Sequence, residues 1–256
     1  MVYVDVHTHY DDPRYDQDRD EVLSRLPQAG LRYVINAGSD RQTSSLSLML
    51  AEQYPFMYAC CGIHPHEAIT YRQDISEIEE MLTHEKCVAV GETGLDYYYE
   101  NTQREIQMES FRKHLELAVR YRLPVIIHNR EATKDCLEIL QEYEPQGLTG
   151  VFHCFSGSKE TAKIVLNKGY YISVGGPVTF KNAKKIIDVV QYAPLDRLMT
   201  ETDCPYLAPE PNRGKRNDSS NIPFVLQKIA ELKNVSSETV AEAVLSNTKK
   251  LFQKIR

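Results

Sequence analysis

Several histidines and carboxylates in this chain are spaced so that they could converge on a cation. His7 and His9 lie two residues apart at the end of the apolar run VYVDVHTH. In a β-strand, residues i and i+2 share a face, so two imidazoles would point at one place. An isolated pair of this kind is equally two solvent-facing side chains, and the rest of the chain has to decide. His64 and His66 close FMYACCGIHPH, Glu92 lies in CVAVGETGLD, and His128 falls in PVIIHNR. His153 lies in TGVFHCFSG, and Glu201 with Asp203 falls in RLMTETDCP. A buried strand should be apolar, so ionisable residues gathered at the ends of such runs are informative. Together they would repel if charged and waste burial if neutral, unless a cation holds them. Four histidines with Glu92 and Asp203 exceed what one tetrahedral ion uses, which points to two ions sharing a bridging carboxylate, Glu92.

The elements that must position these residues alternate. Eight apolar, β-rich runs bounded by turn residues are separated by helical stretches. QREIQMESFRKHLELAVRYR is the clearest of these, with Ile106, Phe111, Leu115, Ala118 and Val119 on one stripe. SKETAKIVLNKG and SSETVAEAVLSNTKKLF each open on a serine cap. Eight strand–helix units over 256 residues predict a (β/α)8 TIM barrel forming one domain over 1–256, with a doubly wound open sheet as the alternative. In a barrel the C-terminal strand ends meet at one face, where active sites are built. His84 and His114 fall in helical stretches and read as surface residues.

Composition narrows the function. The net charge of −6 excludes a general polyanion-coating surface, so nucleic-acid contact needs a local basic patch. Arg130 and the loop APEPNRGKRNDSSN, with Lys215 and Arg216, supply candidates on the metal face, and Tyr97, Tyr98 and Tyr99 could stack an unpaired base or pack together. The six cysteines form no C-x-x-C pair, which argues against disulfides and a zinc knuckle. No run is long enough to cross a bilayer and no secretory signal is evident, so a cytoplasmic location is expected.

DVHTH, GIHPHEA, GETGLDYYY, IIHNRE, FHCFSGS and ETDCPYLAP follow one another in the order and spacing of the TatD family of metal-dependent deoxyribonucleases, which the chain resembles over nearly its whole length. The resemblance implies that His7, His9, Glu92 and Asp203 hold one divalent ion and Glu92, His128 and His153 a second. It also implies that His64 lies close to the scissile phosphate. The expected activity is hydrolysis of single-stranded DNA, and of RNA as a further substrate, from the 3′ end by a metal-activated water. Asp203, Glu92 and His64 are then the catalytic residues, with Asp203 as general base, and His64, Arg130, Lys215 and Arg216 bind substrate. Mixed imidazole and carboxylate ligands admit Mg, Mn or Zn. An amidohydrolase or deacylase acting on a small molecule or aminoacyl ester is the alternative, as is a non-catalytic metal-binding barrel. No protein partner is evident.

Overall fold

The computed structural model of the chain describes residues 1–99 and 101–256. The eight apolar runs all form strands: β1 (Tyr3–Thr8), β2 (Leu31–Ala37), β3 (Met57–Cys61), β4 (Cys87–Asp96), β5 (Val125–Arg130), β6 (Gly150–Phe152), β7 (Tyr171–Val174) and β8 (Leu198–Thr200). They pair in parallel, in sequence order, into one eight-stranded sheet. The sheet closes between its ends through the bridge of Thr8 to Cys204, with His9 N–H donating to Cys204 O and Asp203 N–H to His7 O. This is a (β/α)8 TIM barrel, and its closing seam is made by the candidate ligands' own backbone.

The helices α1 (Arg19–Arg25), α2 (Arg41–Gln53), α3 (Tyr71–Met81), α4 (Arg104–Tyr121), α5 (Thr133–Tyr143), α6 (Lys159–Asn167), α7 (Lys184–Tyr192), α8 (Ile222–Lys233) and α9 (Ser237–Leu251) cover the outside. The strands are apolar on both faces because the helices bury one side and the barrel interior the other. Ser158 and Ser236 cap α6 and α9 by accepting the Thr161 and Thr239 amide protons. Among the described residues no helix is long and apolar enough to cross a membrane. All six cysteines are free thiols.

One histidine expectation is corrected, while His84 does lie at the surface. His114 is fully buried, not on the surface. Its Nδ1 faces Ser110 O at 2.7 Å and its Nε2 accepts the Ile63 amide proton at 3.0 Å, so the imidazole satisfies backbone that helix and strand periodicity cannot. Gln107, one helical face away from exposure, does the same for the N–H and C=O of Asp96. His84 lies in the turn after α3, half-buried, with Nε2 3.0 Å from Glu52.

Candidate metal centre

Of the expected ligands and the expected phosphate neighbour His64, only His7, Glu92 and His128 lie within strands; His9, His64, His153 and Asp203 follow the ends of β1, β3, β6 and β8. The barrel gathers all seven at one mouth. Beneath it, the buried carboxylate of Asp5 on β1 ties down the loop that carries Asp203. Its two oxygens accept the Thr202 N–H (2.9 Å), the Thr202 hydroxyl (2.7 Å) and the Ser219 hydroxyl (2.7 Å). Burial pushes the Asp5 carboxyl up to about 7. Asp203 has a left-handed backbone, φ 54°, a region aspartate enters more readily than most residues. Gly94 on β4 has φ +147° and lets that strand press against β5, since a Cβ there would lie 1.9 Å from His128 O.

Four donor atoms surround one point. His7 Nε2 and His9 Nε2 are 3.2 Å apart, His7 Nε2 is 3.2 Å from Glu92 Oε2, and His9 Nε2 is 3.4 Å from Asp203 Oδ1. The two remaining imidazole–carboxylate distances are both 3.7 Å. Donors bonded tetrahedrally to one ion at about 2.1 Å stand about 3.4 Å apart, so this set has the spacing of a coordination shell. A second set faces the other oxygen of Glu92: His153 Nε2 at 2.8 Å and His128 Nδ1 at 2.9 Å from Oε1, and 3.2 Å from each other. The residues therefore fit divalent ions, and the Glu92 carboxylate faces both sets.

Three overlapping triads, each with atoms within 4.8 Å, describe the same cluster: His7–His153–Asp203, His7–His9–Glu92 and His64–Glu92–His128. Hydrogen bonding separates ligands from neighbours. His9 Nδ1 lies 3.0 Å from Ala37 O, so it carries the proton and leaves the Nε2 lone pair facing the cluster. His128 Nε2 lies 3.0 Å from Asp96 Oδ2, which frees Nδ1 in the same way. His64 is the reverse. Its Nδ1 accepts the His66 amide proton at 3.1 Å, so the neutral ring carries its proton on Nε2, 3.4 Å from Glu92 Oε1. Such a ring offers the cluster an N–H rather than a lone pair, which sets it apart from the ligands.

Burial and charge set the protonation of the cluster without dividing it in the same way, since burial lowers His7 as it lowers His64. Burial, with neighbouring imidazoles, lowers His64 well below its usual value despite the Glu92 charge, keeping it neutral. Burial also opposes a charge on His9, yet the hydrogen bond and charge of Asp203, with Glu92, raise it to about 9. Burial would raise the Asp203 carboxyl, but its hydrogen bond with His9 and the charges of His7 and His153 hold it below the usual range. Burial would raise Glu92 too, but the neighbouring imidazoles, His153 above all, hold it well below the usual range. Carboxylates kept ionised beside partly protonated imidazoles are a site set up for positive charge.

Glu201, fully buried, accepts the Cys154 amide proton at 2.6 Å, and the same oxygen lies 3.7 Å from His153 Nδ1. Asp96 is the residue that reading the sequence missed. It is buried, its Oδ2 receives Nε2 of both His66 (3.1 Å) and His128 (3.0 Å), and its Oδ1 accepts the amide protons of Tyr98 and Tyr99. The signal was present: Glu92, Gly94 and Asp96 alternate along one strand, so both carboxylates share a face.

A cavity of 550 Å³ opens over the cluster, lined by His9, His64, Glu92, His128, His153 and Asp203 and by Arg130. Arg130 thus lies where a substrate anion could meet it. Lys215 and Arg216 do not line it, contrary to expectation. Arg216 is held by both Asp18 oxygens and by Arg14 O, and Lys215 reaches Asn212 of its own loop. The long loop after β8 folds back toward α1, tied to it through Asp18 and Arg25, and carries these cations away from the mouth.

Comparison with known proteins agrees with this architecture. Residues 4–253 match the family model described as TatD related DNase. The metal-dependent hydrolase YabD of Bacillus subtilis is 44% identical over 250 residues, spanning 97% of this chain and 98% of its own. YcfH of Escherichia coli K12, also described as a metal-dependent hydrolase, is 37% identical over 98% of this chain and 96% of its own. The solved structure of YjjV, a TatD homolog from Escherichia coli K12, superposes with a TM-score of 0.92 at 33% identity, covering 98% of both chains. A barrel mouth with this donor set, matched end to end by metal-dependent hydrolases, places the chain in the TatD-related DNase family as a metal-dependent hydrolase.

Proposed function

We propose that this hydrolase is a phosphodiesterase that shortens single-stranded DNA from its 3′ end at a two-ion site. The observation that carries the reading is the Glu92 carboxylate, with Oε2 facing His7 and Oε1 facing His128 and His153. His7, His9, Glu92 and Asp203 would hold one ion, and Glu92, His128 and His153 the other. The bound ions supply Lewis acidity toward phosphoryl oxygens and lower the pKa of water. Mixed nitrogen and oxygen donors suit Zn or Mn, and Mg where water completes the shell. The His64 Nε2–H donates to a non-bridging oxygen of the phosphate, a bond that strengthens as negative charge grows there. Asp203, on the cavity wall, takes the proton released as water adds to phosphorus, and as the bond to the 3′ oxygen breaks a proton from solvent completes the leaving 3′-hydroxyl. Arg130 holds a neighbouring phosphate. RNA presents the same linkage to the same groups. Six free thiols fit a reducing, cytoplasmic setting.

The test is a metal-stripped protein supplied with Mg, Mn or Zn and a 5′-labelled single-stranded oligonucleotide, with Glu92→Gln as control. A ladder shortening from the 3′ end, dependent on the ion and absent in the variant, is expected. An oligonucleotide left intact under every ion, while metal binds stoichiometrically, refutes the reading and redirects attention to amides and aminoacyl esters.

A further inference from the structure

Tyr99 and Tyr206 are large aromatic side chains left 52% and 47% exposed, and both line the cavity over the ligand cluster. Tyr99 follows β4 and Tyr206 follows β8, strands that stand opposite each other in an eight-membered ring. The two rings therefore flank the cluster from opposite sides. Each is fixed by a guanidinium. Arg130, the last residue of the neighbouring strand β5, lies 4.6 Å from the Tyr99 ring centre and 4.1 Å from that of Tyr98. Arg14, beyond β1 and next to β8, lies 4.1 Å from the Tyr206 ring. Asp12 orients Arg14 through both its oxygens, and the Tyr206 hydroxyl reaches the same carboxylate at 3.4 Å. The Tyr99 ring also packs perpendicular to His66, ring centres 5.3 Å apart, and Asp96 anchors that histidine. Exposed rings held this firmly have already given up the rotamer freedom that a stacked ligand would otherwise cost.

The cavity offers little else to a polyanion. Arg130 is the one lysine or arginine among its described lining residues, beside Asp11, Asp12 and Glu67. Grip on a nucleic acid here must come from something other than a basic track. Resting on the phosphodiesterase reading above, we infer that Tyr99 and Tyr206 are stacking platforms for the two unpaired bases on either side of the scissile phosphate of single-stranded DNA. A paired base cannot reach either platform without leaving its stack, so this arrangement selects unpaired ends. Two platforms facing one cluster also confine recognition to the dinucleotide being cut, with little call on phosphates further along.

The experiment is a coupling cycle between ring and base on the metal-loaded enzyme. Oligonucleotides are used intact, or with the base removed from the 3′-terminal or the penultimate nucleotide. Tyr99→Leu and Tyr206→Leu are each expected to raise KM for the intact strand about tenfold with a smaller change in kcat, as loss of one base–aromatic stack implies. Each loss should vanish on one of the two abasic strands, a different one for each tyrosine. Tyr99→Phe and Tyr206→Phe, which keep the stacking ring, recover most of the affinity that the leucine variants lose, metal content is unchanged throughout, and Tyr192→Leu on the outer wall is the neutral control. The slope of log KM against log salt should be about 1, against about 4 for a track of six phosphates. Wild type that cleaves the strand while the leucine variants leave KM unaltered, or lose equally on every strand, overturns the stacking assignment alone. Wild type that cleaves no oligonucleotide overturns the phosphodiesterase reading and the platforms with it.

Discussion

Asp96→Asn tests how the second donor set is held. The wild-type carboxylate receives four N–H groups, two backbone amides on Oδ1 and the Nε2 atoms of His66 and His128 on Oδ2. Asparagine keeps the shape but turns one oxygen into NH2, and either orientation sets that NH2 against two donors. Facing the amides, it leaves buried donors unsatisfied, at about 1–3 kcal/mol. Facing the imidazoles, it makes His128 move its proton from Nε2 to Nδ1, the atom 2.9 Å from Glu92 and 3.2 Å from His153. The lone pair for an ion is then lost. Loss of such an outer partner lowers metal affinity about 10- to 100-fold, or about 1.4–2.7 kcal/mol. His7, His9 and Asp203 make no hydrogen bond to Asp96, so the effect should fall on one ion only. Titrating stripped wild type and variant with Zn or Mn by calorimetry should show one binding class weakened and the other in place. Equal weakening of both classes, or none beyond twofold, would refute the tautomer argument.

Two further changes probe the scaffold. Burial holds His114 at about 4, against about 6.5 when unfolded, so between those values the unfolded chain binds the extra proton. Its stabilising neutrality is complete above pH 6.5 and is lost as pH falls toward 4, by roughly 3 kcal/mol. Urea midpoints of wild type and His114→Gln should therefore converge over that window on acidification, and parallel curves would contradict it. Gly94→Ala puts a Cβ 1.9 Å from His128 O at φ +147°, so it should cost more than about 2 kcal/mol and loosen the His128 side of the centre. Denaturation and metal titration together check this, and wild-type values in both would show that β4 and β5 can separate freely.

The alternation of eight apolar runs with helical stretches pointed to the barrel over an open sheet, because parallel strands buried on both faces write themselves as continuous apolar segments, but its closure shows only in the Thr8–Cys204 seam. The same logic exposed His7, His9, Glu92, His128, His153 and Asp203, since ionisable residues at the ends of such segments have no other local use. Spacing alone could not rank them. Whether a histidine offers a lone pair or an N–H depends on what its far nitrogen touches, Ala37 O for His9 and the His66 amide for His64, and those contacts come from other strands or from a turn. His114 was misplaced for a related reason: a polar residue on a helix reads as solvent-facing until an amide such as that of Ile63, 51 positions away, arrives beneath it. The loop cations Lys215 and Arg216 looked available because sequence order places them after β8, whereas folding hands Arg216 to Asp18, 198 positions away. Local pattern therefore determined the elements and singled out the candidate donors, because both follow from short-range periodicity and burial. Tautomer, charge state, and the facing of Tyr99 and Tyr206 across the mouth were decided only when closure of the barrel brought distant strand ends together.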